Sequence, residues 1–318
     1  MENLLFSPGP VPGDYHFKID FSHRAQFFER LHRECVEGLQ YLLPDRDIYF
    51  VQGSASAAIE AVLGFICTPG MSLKVLGEGV FSGRITRAAT SLGIEMGNAS
   101  WEVVAGVQFE TSVSQLNDWS ETYSPKYYKP FSISDSVSAF PYYKPPNADV
   151  LILSSAKQLR GLPVLGIIAA RKNLFKMLHE QVVRRQTKEY LDIPSILMYA
   201  ERDQTPHTAL IPQFISLRDS LNDALWKPGV GSIDANSTIL VHGRAEKIIG
   251  QHIAPVITMK CQNVNGLRVF LLDRKIEAYF NKSYMKGQVQ FSTFNYDKPE
   301  PYERLNDALK AAEKEGLL

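Results

Sequence analysis

The stretch Val150-Leu151-Ile152-Leu153-Ser154-Ser155-Ala156-Lys157 decides the fold prediction. Four apolar residues in a row are typical of a strand that is buried on both faces of a parallel sheet. A lysine closely follows that run, and an ammonium group that loses contact with water has a lower pKa and is a better nucleophile. The alternative is a lysine that extends from a loop into solvent. The stretch therefore predicts a buried strand with a candidate reactive residue, Lys157, beyond its carboxyl end.

Short apolar runs on both sides of this stretch alternate with amphipathic segments. The segments Ser56–Phe65 and Gly83–Ser91 have the spacing of helices that bury one face. The predicted strands of this part of the chain are Ile48–Val51, Leu73–Leu76, Val107–Glu110, Ser132–Asp135, Val150–Leu153 and Val164–Ala169. Strands that alternate with helices indicate βαβ units, so we predict an α/β fold with a mainly parallel sheet that is covered on both faces.

The C-terminal part of the chain has a different pattern. Leu217, Leu221 and Leu225 predict a helix that ends at Pro228-Gly229, a pair that stops helices. The elements predicted beyond it are strands at Ile239–Val241, Val256–Met259, Arg268–Leu271 and Val289–Thr293 and a final helix from Pro301. We therefore expect a large α/β domain over residues 1–230 and a small α+β domain over residues 231–318.

The composition excludes several classes of protein. The chain has 318 residues, of which 45% are hydrophobic, and this is enough for a large core. Its 34 basic and 34 acidic side chains lack the basic excess typical of proteins that bind nucleic acids or anionic membranes. No stretch has 18 uncharged apolar residues and the N-terminus has no signal-peptide pattern, so we expect a cytoplasmic protein. Cys35, Cys67 and Cys261 are far apart and predict neither a disulfide framework nor a metal site.

Polar segments follow several predicted strands. Residues 52–58 open a helix whose free N–H groups can bind a phosphate, and an ordinary helix start capped by one of its serines is the alternative. Residues 77–84 form a glycine-rich turn that matches a dinucleotide fingerprint only loosely. Asp135 either caps the next helix or holds a charged ligand nitrogen. Because ligands of open α/β sheets bind at the carboxyl ends of strands, these segments and Lys157 together supply the parts that a pyridoxal phosphate enzyme needs.

Motifs along the chain resemble the class V family of aminotransferases, which are fold-type I pyridoxal phosphate enzymes. The matching segments are Leu4–Val11 with its Pro-Gly-Pro, Ser22-His23-Arg24, the phosphate loop and helix Gly53–Glu60, the lysine segment Leu153–Lys172, and the loop and helix Gln204–Leu221. The similarity covers nearly the whole chain and is greatest to alanine–glyoxylate, serine–pyruvate and phosphoserine aminotransferases. It implies a fold-type I large domain with a smaller α+β domain.

The resemblance implies a role for each matching residue. Lys157 would bind the cofactor covalently and move a proton, and Asp135 would keep the pyridine nitrogen protonated. Phe81 and Val137 would pack against opposite faces of the ring. The other residues expected at the phosphate or the ring hydroxyl are Ala55, Ser56, Ser112, Ser155 and, from a neighbouring subunit, Gln204 and Thr205.

These roles imply a homodimeric aminotransferase that transfers an amino group from a donor to an oxo acceptor by a ping-pong mechanism. The first alternative is a cysteine desulfurase-like lyase of the same fold. Such a lyase carries a histidine shortly before the lysine, where Ser155 and Ala156 stand here, and needs a mobile cysteine, whereas Cys261 directly follows a predicted strand. More distant alternatives are an NAD-dependent oxidoreductase that uses the glycine-rich turn and a binding protein without a cofactor.

Gly9, Arg24 and Gln290 are the expected substrate-binding residues, and the last departs from the family's pattern. Relatives carry an arginine at that position to hold the substrate α-carboxylate, and glutamine cannot form the bidentate fork of arginine. One explanation is a shifted alignment or a substitute cation, Arg24 or Arg84. The other is that at least one substrate is an amine or carbonyl compound without an ordinary α-carboxylate, in which case Gln290→Arg should improve common α-amino acids as donors.

Overall fold

The chain forms two units. The computed structural model describes residues 3–6, 22–97, 102–119, 130–181, 189–223, 230–280 and 287–318. The large unit comprises Asp14–Gln108 and Asn117–Trp226. The small unit comprises Met1–Gly13, Phe109–Leu116 and Lys227–Leu318. That residues 1–230 and 231–318 are separate domains stays a prediction.

The bounds of the helices and strands are as follows. The strands are β1 (Leu4–Leu5), β2 (Arg46–Gln52), β3 (Ser72–Leu76), β4 (Glu95–Met96), β5 (Val103–Val107), β6 (Phe109–Glu110), β7 (Gln115–Leu116), β8 (Phe131–Asp135), β9 (Val150–Ser154), β10 (Leu165–Arg171), β11 (Ile248–Ile249), β12 (Val256–Lys260), β13 (Ile276–Glu277) and β14 (Gln288–Ser292). The helices are α1 (Gln26–Leu42), α2 (Ala55–Ile66), α3 (Val80–Ser91), α4 (Leu174–Gln181), α5 (Ile193–Ala200), α6 (Ile211–Asp223), α7 (Val230–Val241), α8 (Val264–Asp273) and α9 (Glu300–Lys314).

The described part of the large unit contains a seven-stranded sheet with the order β2-β10-β9-β8-β5-β3-β4. The pairs from β9 to β4 are parallel, whereas β10 is antiparallel to both β2 and β9. The register pairs Asp135 of β8 with Ile152 of β9, so these strands end near each other. The predicted α/β fold with a mainly parallel sheet is confirmed.

Strand β9 is buried on both faces because apolar clusters lie on each side of it. Val150 and Ile152 belong to a cluster that also contains residues of α2, α3 and α5. Leu151 and Leu153 belong to a second cluster, with residues of α1 and α6. Side chains of a strand alternate between its faces, and full burial of each stabilises the fold by about 1.5–3 kcal/mol. The continuous apolar run of the sequence therefore fixes this strand in the centre of the unit.

The small unit is built from short strands and helices. Strands β11, β12 and β14 form an antiparallel sheet, β1 pairs in parallel with β13, and β6 and β7 form a hairpin. Helix α9 confirms the predicted final helix, and it buries an apolar stripe on one of its faces. That stripe consists of Tyr302, Leu305, Leu309 and Ala312.

Three of the predicted strands are wrong in whole or in part. Ile239–Val241 is the last turn of α7, and Arg268–Leu271 lies inside α8. Short apolar runs do not distinguish a strand from a buried helix segment, so these two were ambiguous. The predicted strand Val107–Glu110 is interrupted at Gln108, where β5 ends and the hairpin strand β6 begins.

Candidate active site

Lys157 lies in a short 3-10 turn that follows β9 in the large unit. Its side chain is half-buried, and its Nζ donates a hydrogen bond to Ser138 Oγ over 2.7 Å. The residue has a φ of +57°, a left-handed conformation that a lysine adopts only where the surrounding chain holds it. Hydrogen bonds from Ser155 N to Leu165 O and from Gly161 N to Ser155 O hold that chain. The lysine is therefore held at the carboxyl edge of the sheet and does not extend freely into solvent.

Asp135 is the last residue of β8, the parallel neighbour of β9. Its carboxylate oxygen Oδ1 accepts a hydrogen bond of 3.1 Å from the backbone N–H of Val137. This bond closes a local turn, and residues 136–149 contain no helix for Asp135 to cap, so the predicted capping role is wrong. Val137 is half-buried and packs against the apolar cluster of α2 and α3. The structure thus brings Asp135 and Lys157 to the carboxyl edge of two adjacent strands.

Phe81 lies in the first turn of α3, which follows β3 at the same edge. The Nζ atom of Lys157 is 5.5 Å from the centroid of the Phe81 ring. The guanidinium carbon of Arg84 is 4.9 Å from that centroid. Arg84 Nη1 also donates a hydrogen bond of 3.1 Å to Ser56 Oγ. These contacts connect the lysine, the aromatic ring and the start of α2.

The N-terminus of α2 is formed by small residues. Ser54 precedes the helix in an extended conformation, and its side chain makes no capping hydrogen bond. The N–H groups of Ala55 and Ser56 have no acceptor within the helix, because the first turn of any helix lacks one. A Cβ atom on Gly53 would lie 2.9 Å from the Cβ of Ala57, so only glycine fits there. This turn has the small residues and free donors that suit an anion such as a phosphate.

Two other predicted residues of the large unit have internal partners. The hydroxyl of Ser155 is fully buried and donates to Leu162 O over 2.5 Å. Thr205 is 2% exposed, and its hydroxyl donates to His207 O over 2.8 Å. A phosphate oxygen accepts hydrogen bonds, so the predicted contacts would require each hydroxyl to turn its single O–H away from its present acceptor.

Arg24 holds the 203–207 loop, which includes the predicted residues Gln204 and Thr205. Its guanidinium donates to Gln204 Oε1 and Thr205 O, each over 2.9 Å, and to Pro206 O over 3.3 Å. The Nε2 of Gln204 donates in turn to Glu29 of α1 over 2.9 Å. All of these residues belong to the large unit. Arg24 therefore stabilises a loop in this structure, in addition to any role toward a substrate.

The predicted residues of the small unit are Ser112 and Gln290, and Gly9 lies outside the described residues. Ser112 is in the turn between β6 and β7, and its hydroxyl donates to the buried carboxylate of Glu110 over 2.5 Å. Gln290 lies on β14 and is 2% exposed. Its Nε2 donates to Thr111 O and, over 3.0 Å, to Thr258 Oγ1. The Gln290 amide thus connects the hairpin to the sheet of its own unit.

Ser138 is a site residue to which the sequence analysis gave no role. It contacts Lys157 through its hydroxyl, and its carbonyl oxygen accepts a hydrogen bond of 2.6 Å from Gln158 Nε2. Gln158 Oε1 accepts a further bond from Tyr142 N over 3.2 Å. The available signal was its position, three residues after Asp135 in the polar segment that ends β8.

Three further observations on the described residues concern metal binding, membrane-spanning helices and Cys261. They contain no group of three His, Cys, Asp or Glu side chains that could hold a metal ion. None of their helices combines the length and the apolar composition needed to cross a membrane. Cys261 is buried, its Sγ donates to Leu317 O over 3.2 Å, and desolvation raises the pKa of its thiol.

The donor set at the edge of the large unit fits pyridoxal phosphate. The carboxylate of Asp135 ends β8, and the amine of Lys157 lies in the turn just beyond the adjacent strand β9. The Phe81 ring is 5.5 Å from that amine. The uncapped first turn of α2 provides N–H donors for a phosphate, and Gly53 keeps the approach to it clear of a side chain.

Comparison with known proteins gives the same picture of the fold. No family model and no curated protein sequence matches the chain. Among solved structures it is similar to an aspartate aminotransferase of subgroup IV from Thermus thermophilus, with 17% identity, a TM-score of 0.86, and coverage of 99% of this chain and 100% of that one. It is similar to a phosphoserine aminotransferase from Trichomonas vaginalis in its PLP-bound form, with 16% identity, a TM-score of 0.75, and coverage of 96% and 99%.

A third similar structure is the pyridoxamine–pyruvate aminotransferase from Mesorhizobium loti. The two chains are 13% identical, with a TM-score of 0.81 and coverage of 99% of this chain and 93% of that one. Each of the three similarities extends over at least 93% of both chains. The chain therefore has the fold of these aminotransferases, the fold-type I arrangement that its sequence motifs imply.

Proposed function

We propose that this protein is a pyridoxal phosphate-dependent aminotransferase of class V. The observation that carries the proposal is the position of Lys157 and Asp135 at the ends of adjacent parallel strands. Lys157 Nζ also lies 5.5 Å from the Phe81 ring. The fold shared with aminotransferases supports the proposal, as does the bound pyridoxal phosphate of the Trichomonas vaginalis enzyme.

Pyridoxal phosphate, when bound, supplies an aldehyde that accepts an amino group and a ring that delocalises the electron pair left on the substrate α-carbon. Asp135 would accept a hydrogen bond from the protonated pyridine nitrogen and so keep its positive charge. Phe81 and Val137 would pack against the two faces of the ring. Ala55 and Ser56 would donate backbone N–H groups to the phosphate, with help from the hydroxyl of Ser155. The position of Ser112 close to the cofactor's hydroxyl and phosphate stays a prediction from the resemblance.

Lys157 Nζ would hold the cofactor covalently and, once released from it, take the proton from the substrate α-carbon. A base for this step must lie within hydrogen-bond reach of the proton. Ser138 would position the amine, because its hydroxyl is the acceptor at 2.7 Å and its own backbone is fixed by Gln158. The left-handed turn at Lys157 restricts the side chain further.

The lyase alternative has less support from this structure. A cysteine desulfurase needs a mobile thiol that ionises readily. Cys261 is buried, its Sγ donates to Leu317 O, and desolvation raises its pKa, so ionisation is disfavoured. We therefore prefer amino transfer to carbon–sulfur cleavage at this thiol.

We also propose a homodimer in which Gln204 and Thr205 of one subunit reach the cofactor of the other. The contacts of Arg24 and Glu29 support this, because they hold the 203–207 loop in a defined shape before any partner binds. Sedimentation equilibrium tests the idea. We expect a dimer that releases cofactor when diluted to monomer, and a monomer with full cofactor occupancy would contradict it.

A cytoplasmic location is a further part of the proposal. The three cysteines are buried and form no disulfide bond, and proteins without disulfide bonds are typical of reducing compartments. Fractionation of cells that express the tagged chain is the direct measurement.

We propose that at least one substrate is an amine or carbonyl compound without an ordinary α-carboxylate. Gln290 is uncharged, and its amide nitrogen is already bonded to Thr111 and Thr258. Arg24 already donates to three acceptors of the 203–207 loop. The Mesorhizobium loti enzyme, named for pyridoxamine and pyruvate, is a structural neighbour that acts on such an amine.

The first experiment tests the cofactor and its lysine. Purified apoprotein is mixed with pyridoxal phosphate, and the visible absorbance band of the lysine-bound cofactor is recorded before borohydride reduction and peptide mapping. We expect the adduct on Lys157, none in Lys157→Ala, and a normal adduct in Lys172→Ala, which removes an exposed lysine beyond β10. An adduct on another lysine would refute the assignment.

The second experiment tests the substrate class by single-turnover half-reactions. The holoenzyme is mixed with alanine, serine or glutamate, or with pyridoxamine or ethanolamine as amines without an α-carboxylate, and loss of the visible band is followed. We expect the amines to react faster than the α-amino acids. A fast reaction with alanine, serine or glutamate that is abolished by Arg24→Ala would favour a substitute carboxylate clamp.

A further inference from the structure

Arg84 lies beside the first turn of α2, within the large unit. It projects from the second turn of α3, donates to Ser56 Oγ over 3.1 Å and lies 4.9 Å from the Phe81 ring centroid. A groove of about 310 Å³ runs between the two helices at this point. Its lining residues are Ser56, Ile59, Glu60, Arg84, Arg87, Ala88 and Ser91.

The first turn of α2 has little charge of its own to offer a phosphate. The segment from Gln52 to Ala58 contains no lysine or arginine. A helix N-terminus contributes the equivalent of only about half a positive charge, whereas a phosphate monoester carries nearly two negative charges. A phosphate bound by the N–H groups of Ala55 and Ser56 therefore needs a cation next to them.

The Arg84 guanidinium has donors to spare for such an anion. Within the part of the chain that the structure describes, its only hydrogen bond is to Ser56, and it forms no ion pair, although Glu60 lines the same groove. The side chain is exposed, so an anion can approach it. The planar fork of arginine suits the oxygen atoms of a phosphate.

We propose that Arg84 is the charge partner of the cofactor's phosphate group. This inference rests on the proposed use of pyridoxal phosphate and assigns to Arg84 a phosphate-binding role. The contact with Phe81 holds the side chain over the first turn of α3, and the bond to Ser56 directs one edge of the guanidinium toward the start of α2. Arg84 thus contacts both the first turn of α2, which would hold the phosphate, and the Phe81 ring, which would pack against the cofactor.

The experiment compares pyridoxal phosphate with pyridoxal, which has the same aldehyde and ring but no phosphate. Equilibrium affinities for both compounds are measured by visible absorbance in the wild type, Arg84→Met and Arg87→Met. Methionine keeps the apolar stem over Phe81 and removes the charge. Arg87 is the matched control, because it is an exposed arginine one turn further along α3 that lines the same groove.

We expect Arg84→Met to weaken pyridoxal phosphate binding by about 10- to 100-fold, the usual effect of a lost charged hydrogen bond. Its affinity for pyridoxal should change by less than about 2-fold, and Arg87→Met should leave both affinities unchanged. Inorganic phosphate should compete with pyridoxal phosphate less well in Arg84→Met. If Arg84→Met does not fold, Arg84→Lys tests the charge alone and should retain most of the preference for the phosphorylated compound.

Several outcomes would overturn the inference. Equal losses for pyridoxal phosphate and pyridoxal in Arg84→Met would mean that Arg84 supports the ring or the fold. Equal losses in the Arg84 and Arg87 variants would mean a general effect of surface charge. In both cases wild-type binding stays intact and the proposed function stands. A wild type that binds neither compound covalently would refute the proposed function and the inference together.

Discussion

Arg24 and Arg84 are both exposed arginines of the large unit, yet their surroundings differ. Arg24 donates to three acceptors of the 203–207 loop and lies 5.1 Å from the centroid of the Tyr199 ring. Arg84 makes one hydrogen bond within the described residues and lies over Phe81. Exposure alone does not separate a structural cation from a binding cation. The two kinds of cation differ in how many guanidinium N–H groups already donate to acceptors of the protein. By this criterion Arg24 stabilises the loop and Arg84 is available to a ligand.

The largest expected effect is on the rate of the half-reaction and follows from Asp135→Asn at the cofactor site. We expect weaker cofactor retention and proton abstraction slowed on the order of 100-fold or more, because a preorganised charge at the reacting ring is lost. Stopped-flow measurement of the half-reaction gives the rate. The matched control is Asp307→Asn, at an exposed position of α9, which should leave that rate within about 2-fold. A wild-type rate in Asp135→Asn would remove this residue from the chemistry.

The next largest effect is on the free energy of unfolding, which should depend on pH through His32, a neighbour of the 203–207 loop. Burial lowers the pKa of His32 to about 4, and its Nδ1 is 3.8 Å from Asp203, which in turn accepts two bonds from Arg33. The folded histidine stays neutral while the unfolded one binds a proton near pH 6.5, so the free energy of unfolding falls as pH drops from 6.5 toward 4. The total loss is about 3 kcal/mol.

Urea denaturation at several pH values measures this loss. We expect His32→Phe to flatten the pH dependence between 6.5 and 4, because phenylalanine keeps the contacts with the neighbouring rings of Phe28, Phe50 and Phe214 and does not titrate. His252→Phe, at an exposed position, should keep the slope. An unchanged slope in His32→Phe would show that other groups control it.

A smaller effect should follow from Arg24→Ala. Loss of three hydrogen bonds to the 203–207 loop should lower the free energy of unfolding by about 1–2 kcal/mol, because the arginine is exposed and water replaces part of each bond. Arg30→Ala, an exposed arginine of α1, is the control and should change it by less than about 0.5 kcal/mol. The affinity ratio for pyridoxal phosphate over pyridoxal should fall less in Arg24→Ala than in Arg84→Met, because Arg24 acts on the phosphate only through the 203–207 loop that it holds. A drop as large as that of Arg84→Met would contradict the contrast with Arg84.

The smallest expected effect concerns the turn before β10. Val164 has a φ of +78° and is 49% exposed, although a branched side chain disfavours this left-handed conformation. Val164→Gly should raise the free energy of unfolding by up to about 1 kcal/mol, because strain is relieved and glycine's larger unfolded entropy offsets only part of the gain. Val164→Ala should gain less, and chemical denaturation resolves the difference. A destabilised Val164→Gly would show that contacts of the valine side chain stabilise the fold by more than its left-handed backbone conformation destabilises it.

The sequence predicted the central sheet well because its strands are buried on both faces. Continuous apolar runs such as Val150–Leu153 have one structural explanation when helices alternate with them. The small unit was harder, since its runs are short and half-buried. Arg268–Leu271 lies within a helix that begins after Asn263, whose side chain accepts a bond from Gly266 N, and that capping pattern was the signal that the apolar run concealed.

The candidate site also contains features that the sequence predicted and features that it could not predict. Lys157 and Asp135 could be found because each follows an apolar strand, and strand order brings their ends together. The contact between Lys157 and Ser138 could not be predicted, because it depends on the left-handed backbone conformation of Lys157. A lysine in the sequence gives no indication of that conformation. The bonds of Gln290 likewise depend on how the hairpin packs against β14 in the small unit.

The reversed strand β10 limits how the segment before it can change in length. Its first residue, Leu165, pairs with Gln52 and accepts a bond from Ser155, and the carbonyl of Val164 accepts one from Gly53. A single residue inserted between Ser155 and Val164 would have to loop out, or it would shift β10 by one position against both neighbours and turn its side chains to the opposite faces. Natural variation in this segment should therefore be by substitution, with insertions and deletions confined to loops that join only one pair of elements.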